Sequence, residues 1–434
     1  MKKSIYNIFS DWKNIYCGVN LLSGSKIVLL QKDYEDYLNN FQGIEKTLYS
    51  ALIEGGFIIK EDVDEYASLI HRRNQDVFFN NNTFQLTILP TLECNFKCWY
   101  CYEDHHESVM IPHVLERIKK YIDYIFENYP IFNFHLDWFG GEPLLYFNEV
   151  VKPISLYVKS ICNKTNLSFT NTITTNGYLI NDEMLSEFND IRLNRFQITL
   201  DGDKDQHNKI RFEQRGKDSY TKIINNINKI CQFVDDASVN VRINYTNKNI
   251  AGLGKIASDI HTENRDKIYI SMQRVWQTRD IEDETKIEKQ LNDEIECLQN
   301  NGIKVNYNNV LYRLGKRCYA DTIKQSVVNY DGTLFKCTAR NFADHKASVG
   351  HIDEDGVPVW NNNYYKHFLK PVFDNSNCKG CCYLPVCLGV CSQKFIEGGG
   401  GAISNECDPD GWAKSINEDL LQSLYQYIIS TNKS

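Results

Sequence analysis

"FQLTILPTLECNFKCWYC", residues 84–101, runs from an apolar, β-branched stretch straight into a loop carrying Cys94, Cys98 and Cys101. The opening residues have the composition and length of a buried strand. Three thiols at intervals of four and three, with aromatics between them, follow at its C-terminal end. Thiols this close together hold a metal ion or an iron–sulfur cluster, or only pack. A structural zinc takes four ligands, usually as two Cys-x2-4-Cys pairs from separate places. Here one loop carries three, with His105 and His106 available for a fourth. A [4Fe–4S] cube held by three thiolates keeps one iron open for a substrate or cofactor, and the wide first interval lets the loop wrap around it.

The pairing of apolar run and polar loop repeats downstream. "FHLDWF" (134–139) leads into "GGEP", "SFTNTITT" (168–175) into "TTNG", and "RFQITL" (195–200) into "LDG". "VNVRINY" (239–245) leads into "NYTNKN", and "IYISMQRVW" (268–276) is a sixth run. Amphipathic helical stretches lie between them, such as "HVLERIKKYIDYIFENY" (113–129) and "YTKIINNINKICQFV" (220–234). Six βα units predict an α/β fold, a partial (β/α)6 TIM-like barrel over residues 85–300. A packed core does not require distinctive polar residues at one end of every strand, so their convergence argues for a site.

Residues 1–84 read as a small α/β module. "IYCGVNLLSGSKIVLLQKDYEDYLNN" gives strand, turn, strand and helix, and two more helices follow, the first closed by Gly55 and Gly56. "NNNTF" marks a polar boundary at 80–84. Residues 301–434 are rich in cysteine, glycine and asparagine and poor in regular pattern, apart from a final helix at "SINEDLLQSLYQYII".

The chain has 434 residues, 42% hydrophobic and 24% charged, with a net charge of −8. That balance argues against a nucleic-acid partner. No run of eighteen apolar residues occurs, and the N-terminus is broken by Asn7, Ser10, Asp11 and Lys13. Neither a membrane span nor a signal peptide is expected, and the expected address is the cytoplasm. Fifteen cysteines in such a chain point away from disulfides. Cys17, Cys162, Cys231 and Cys297 are scattered and are expected to pack as small buried apolar residues.

Cys94-x3-Cys98-x-Tyr100-Cys101 resembles the signature of the radical S-adenosylmethionine (SAM) superfamily. "GGEP", "QITLDG" and "HNKIR" extend the resemblance. It implies a [4Fe–4S] cluster on Cys94, Cys98 and Cys101, with SAM on the open iron. It also implies SAM contacts from Tyr100, Gly140, Gly141, Glu142, Asn176, Thr199 and Arg211, and assigns no catalytic side chain. An acid near the SAM ammonium suits a charge-assisted hydrogen bond, and a guanidinium suits its carboxylate.

The ordered cysteines of the last third resemble a SPASM domain, which holds two auxiliary [4Fe–4S] clusters, so three clusters are expected in all. The resemblance implies Cys318, Cys337 and Cys391 for the first auxiliary cluster, with a fourth site open or filled by another ligand. It implies Cys378, Cys381, Cys387 and Cys407 for the second. Zinc knuckles are the alternative for these pieces.

Among such enzymes the chain resembles maturases of ribosomally made (RiPP) peptides. Residues 1–84 would be a PqqD-like module gripping a precursor's leader peptide, and a flavodoxin or ferredoxin would donate electrons. Anaerobic sulfatase maturases, which make formylglycine, are the rival. They usually place an aspartate where this chain has Thr338, and generally lack an N-terminal module. A non-catalytic metal-binding scaffold is the reading from another class.

Overall fold

The computed structural model describes all residues except 81, 214–216, 282–283, 308–310, 312–313, 315–316, 370–374, 390, 398–406 and 433–434. It forms two compact units. One joins Met1–Asn80 to Asn308–Ile323 and Tyr365–Ser434, and the other joins Asn81–Tyr307 to Lys324–Tyr364.

In the first unit, strand β1 (Lys2–Lys3) is followed by an antiparallel sheet of β2 (Asn7–Trp12), β3 (Ile15–Asn20) and β4 (Lys26–Leu30). Strand β2 was not legible as a strand, because Ser10 and Asp11 interrupt its apolar pattern. The signal lay in the turn: Lys13 and Asn14 both have positive φ, 49° and 64°, as a two-residue hairpin between right-twisted strands requires. Helices α1 (Gln31–Leu38), α2 (Lys46–Glu54) and α3 (Glu65–Asn74) follow, with β5 (Ile58–Ile59) pairing back to β1. Gly56 adopts φ 76° just past α2, the left-handed stop that glycine takes without strain.

The second unit is built on parallel strands: β6 (Thr83–Ile88), β7 (Asn133–Trp138), β8 (Ser168–Thr175), β9 (Leu193–Leu200), β10 (Ser238–Tyr245) and β11 (Ile268–Arg274). They lie side by side in sequence order. Between them run α4 (Pro112–Asn128), α5 (Lys152–Thr165), α6 (Asp182–Asp190), α7 (Lys204–Ile210), α8 (Ser219–Phe233) and α9 (Ile256–Asp259), with α10 (Glu284–Asn300) after β11. One face of the sheet is apolar. Leu136 and Trp138 of β7, Ile198 of β9 and Val241 of β10 share a core with Ile118 and Ile122 of α4, Val158 of α5 and Ile227 of α8. Sequential parallel order with helices on one face is the winding of a barrel, not of a doubly wound sheet. All six strands predicted from the apolar runs are present.

The tail departs from expectation. It contains β12 (Lys304–Asn306), parallel to β11, and β13 (Gln325–Val328), parallel to β6. β14 (Thr333–Phe335), β15 (Gly350–Ile352) and β16 (Pro358–Trp360) then continue the sheet antiparallel. Strands of three or four residues are too short to leave a periodic trace, and they form by completing the open edges of β6 and β11. Compactness therefore divides the chain differently from the sequence boundary at 300. The final helix, Pro409–Asn432, packs Ile416 and Leu420 with Tyr6, Val19 and Leu69 of the first unit.

Cys17, Cys162 and Cys231 are buried as expected, but Cys297 is exposed. On α10 the buried stripe is Leu291, Ile295 and Leu298, and position 297 falls off it. Among the described residues no helix is long and apolar enough to cross a membrane.

Candidate cofactor site

The loop after β6 is a built structure. Phe96, 1% exposed, plugs it into the core against the Tyr178 ring, 5.4 Å between centroids. Cys101 N donates to Cys98 O at 3.1 Å, and Leu92 N to Ser108 Oγ at 2.9 Å. Cys94, Cys98 and Cys101 are half-buried and line one cavity of about 580 Å³ with Phe96, Glu103 and His105. Burial pushes the Cys94 thiol up to about 12 and Cys98 to about 11, so a bound cation must displace their protons.

His105 Nδ1 lies 2.8 Å from the Leu92 carbonyl, which can only accept, so this nitrogen carries the proton. Nε2 then faces Cys101 Sγ at 3.3 Å. Of the two histidines considered as a fourth zinc ligand, His105 is beside Cys101 and His106 is beside the Tyr330 hydroxyl. Burial lifts the Glu103 carboxyl to about 7.

The glycine strip after β7 lies flat against this loop. Gly141 N donates to Thr91 O at 3.2 Å, and Glu142 N to Glu93 O at 2.8 Å. A Cβ on Gly141 would sit 2.1 Å from Glu93 O, and one on Gly140, whose φ is 107°, 2.6 Å from Thr91 O. Both neighbours are backbone and cannot swing away. Gly141→Ala is therefore expected to destabilise the fold by about 1–3 kcal/mol and to lower iron retention after reconstitution. Urea unfolding and iron analysis check this.

Glu142 is fully buried. Its carboxylate accepts from Leu144 N (3.0 Å), Thr175 Oγ1 (2.7 Å) and Asn176 N (2.8 Å). The side chain thus braces the β7 and β8 loops. Asn176 carries the brace onward, its Nδ2 donating to Asn95 Oδ1 between the cysteines at 2.7 Å.

A second network closes the other side. The Tyr100 hydroxyl donates to Asp201 and accepts from Arg211 Nη1 at 2.7 Å and Asn244 Nδ2 at 3.1 Å. Arg211 pairs with Asp201 at 3.7 Å, and both are buried. The Arg211 guanidinium lies near enough to the Cys98 thiol to favour its ionised form. Thr199 is the penultimate residue of β9, in register with Arg242. Asp201, Asn95 and Asn244 sit inside stretches quoted from the sequence, but nothing there distinguished them from loop polarity. Asn95 bonds a residue 81 positions away, Asp201 one 101 away and Asn244 one 144 away.

Four buried atoms here have no hydrogen-bond partner among the described residues: Arg211 Nε, Asn95 Nδ2, Asp201 Oδ1 and Glu103 Oε1. Two donors and two carboxyl oxygens, desolvated beside three thiols, suit a zwitterionic ligand.

In the first unit, Cys378 lies among Cys381, Cys387 and Cys407, close enough that each raises its thiol pKa after burial does. Cys382 is close to Cys381 and also contacts Tyr383. Cys318 and Cys391 belong to this unit and Cys337 to the other. Asp321 links the first two, its amide donating to Cys318 O at 3.0 Å and its carboxylate accepting from Ser392 Oγ at 2.7 Å.

Comparison with known proteins gives a consistent result. Residues 88–259 match the family described as the Radical SAM superfamily. An uncharacterized protein of Synechocystis sp. is 30% identical over 173 residues, 37% of this chain and 42% of that protein. The chain spans less than half the length of the first curated relatives it matches. A cysteine-type anaerobic sulfatase-maturating enzyme of Clostridium novyi is 24% identical over 69% of this chain and 85% of its own. Among solved structures, anSMEcpe with bound AdoMet and Cp18Cys peptide superposes with a TM-score of 0.60 at 20% identity, over 81% of this chain and all of that one. SuiB of Streptococcus suis superposes with a TM-score of 0.51 at 15% identity, over 92% of this chain and 97% of its own.

Proposed function

We propose that this chain, whose residues 88–259 match the Radical SAM superfamily, is a radical SAM enzyme that matures a ribosomally made precursor peptide, leaving a thioether or carbon–carbon crosslink or a related modification. The observation that carries the reading is the convergence of three thiols in one cavity with a buried guanidinium and unpartnered polar atoms beside them. The superfamily takes a [4Fe–4S] cluster and SAM, and the residues present fit both. When bound, they supply a 5′-deoxyadenosyl radical that removes a hydrogen atom from an unactivated C–H bond.

Cys94, Cys98 and Cys101 would hold the cluster. Arg211 would clamp the SAM carboxylate, oriented by Asp201. Gly140 and Gly141 would offer their backbone to the amino group. Glu142, engaged by three protein donors, holds that loop in place. Tyr100 and Thr199 would flank the adenosine, and Asn176 steadies Asn95. Cys378, Cys381, Cys387 and Cys407 would carry one auxiliary cluster, and Cys318, Cys337 and Cys391 the other. Electrons would come from a flavodoxin or ferredoxin in the cytoplasm.

Residues 1–84 would grip the leader peptide. Strand β4 is an edge of its sheet, with Val28 42% and Leu30 63% exposed, and an extended peptide can pair with such an edge. The superposition on SuiB over 92% of the chain supports a fold that includes this module.

One observation favours a second reading, a formylglycine-generating sulfatase maturase. The Clostridium novyi relative is matched over 85% of its length. Thr338 after Cys337 and the N-terminal module weigh against it.

The test is anaerobic reconstitution with iron and sulfide, then addition of SAM and dithionite. The expected results are a brown protein with about twelve irons per chain and release of 5′-deoxyadenosine. No 5′-deoxyadenosine refutes the radical chemistry. A colourless zinc protein supports the scaffold. Conversion of cysteine to formylglycine in a short sulfatase peptide establishes the second reading.

A further inference from the structure

The sheet of the second unit has two unlike faces. Along β7 and β10 burial alternates residue by residue. The buried residues pack on the helices. The half-buried ones are all polar and include Asn133, His135 and Asp137 on β7, and Asn240, Arg242 and Asn244 on β10. A sheet face without an apolar residue on these strands is not a core waiting for a partner. It is a surface suited to a polar ligand.

Asp137 is the unusual member. It lies deep in the unit with one side open, three positions before Gly140. Thr172 Oγ1 of β8 donates to its Oδ1 at 2.7 Å, in preference to the Leu136 carbonyl at 3.3 Å. Thr87 Oγ1 of β6 donates to its Oδ2 at 3.3 Å. With its proton so placed, the Thr172 oxygen accepts from His135 Nε2 at 2.9 Å. The protons of this chain, His135 to Thr172 to Asp137, all point toward the carboxylate. Each carboxylate oxygen keeps a further acceptor site.

No lysine or arginine among the described residues contributes to the environment of this carboxylate. The titratable and charged groups of the polar face on β7, β9 and β10 are His135 on its own strand, Arg195 on β9, in register with Thr172, and Arg242 on β10, two strands beyond β8. The flanking positions of β6 and β8 hold only the two threonines. Burial lifts the carboxyl to about 6 against the pull of their hydroxyls, which still leaves it ionised at neutral pH. An ionised carboxylate at such depth is expensive without a cation, and the cost falls sharply when one arrives.

We propose that Asp137 is a specificity-determining residue that receives a cationic side chain of the peptide substrate, a lysine ammonium or an arginine guanidinium, on the polar face of the sheet. This rests on the reading of the chain as a peptide-modifying enzyme.

The test uses the full chain, reconstituted anaerobically with SAM, and fluorescein-labelled Gly-Ser octapeptides with a central lysine, arginine, norleucine or glutamate. Fluorescence anisotropy reads the affinities. The wild type is expected to bind the lysine and arginine peptides about tenfold more tightly than the norleucine peptide. In Asp137→Asn the ratio falls to within about twofold, while Asp137→Glu keeps a preference for the cation. A structural role alone would not move the lysine-to-norleucine ratio, and the melting temperature of each variant is read alongside to confirm folding. A ratio near one in the wild type, or a ratio unchanged in folded Asp137→Asn, overturns the proposal. Wild-type 5′-deoxyadenosine release without peptide separates the two failures. Release without a lysine preference sinks only the role of Asp137, and no release sinks the enzymatic reading beneath it.

Discussion

Cys98→Ala is expected to lose about four irons per chain and to release 5′-deoxyadenosine at least about a thousandfold more slowly than the wild type. Cys98 is the middle thiol of the loop, electrostatically coupled to Cys94 on one side and Cys101 on the other. Alanine removes one of three anchors, and a cube cannot be held in one orientation by two. The control is Cys382→Ala. Cys382 adjoins the auxiliary set but contacts Tyr383, so its replacement should leave iron content at the wild-type level. Should Cys98→Ala retain full iron and full 5′-deoxyadenosine release, the thiol triad is not the cluster site, and the proposed chemistry has no location.

Arg211→Ala carries the largest expected effect on stability. Asp201 is fully buried, and Arg211 is its only cationic partner among the described residues. Removing the guanidinium strands a carboxylate away from water, which costs about 3–5 kcal/mol. The Tyr100 hydroxyl loses a donor as well. Adding Asp201→Asn to Arg211→Ala removes the stranded charge, so the double variant should recover about half of the loss. SAM binding should not recover, because the proposed carboxylate clamp is still missing. Urea unfolding and calorimetry with SAM report the two effects separately. Additive losses in the double variant would falsify the buried pair as a coupled unit. Wild-type SAM affinity in Arg211→Ala would remove Arg211 from the cofactor site.

The barrel strands were readable because each long parallel strand is buried on one face and spans six to eight residues. That is enough for a local apolar signal to exceed the noise of composition. β2 and β13–β16 were not, for different reasons. β2 is interrupted by Ser10 and Asp11, and its pairing depends on the left-handed residues Lys13 and Asn14. β13–β16 are short and exist because neighbouring strands supply hydrogen bonds. The exposure of Cys297 follows from its angle on α10, which a count of cysteines does not contain. Of the candidate site, Cys94, Cys98, Cys101 and Arg211 could be named from spacing and family resemblance, and the fold brings the three cysteines to one cavity, whereas Asp201, Asn95 and Asn244 could not be named.

The amino-acid order alone determined which chemistry is carried: the three-thiol loop, the glycine strip after the second barrel strand and the alternating βα pattern are all local. Only the folded chain decided which atoms are desolvated together. Glu142 could be named as an acid, but its engagement with Leu144, Thr175 and Asn176 depends on two loops meeting. The orphaned atoms of Arg211, Asp201 and Asn95, and the lone carboxylate of Asp137, exist only once strands distant in sequence lie side by side. Covalent spacing is set along the chain, whereas burial and hydrogen-bond partnership are set across it.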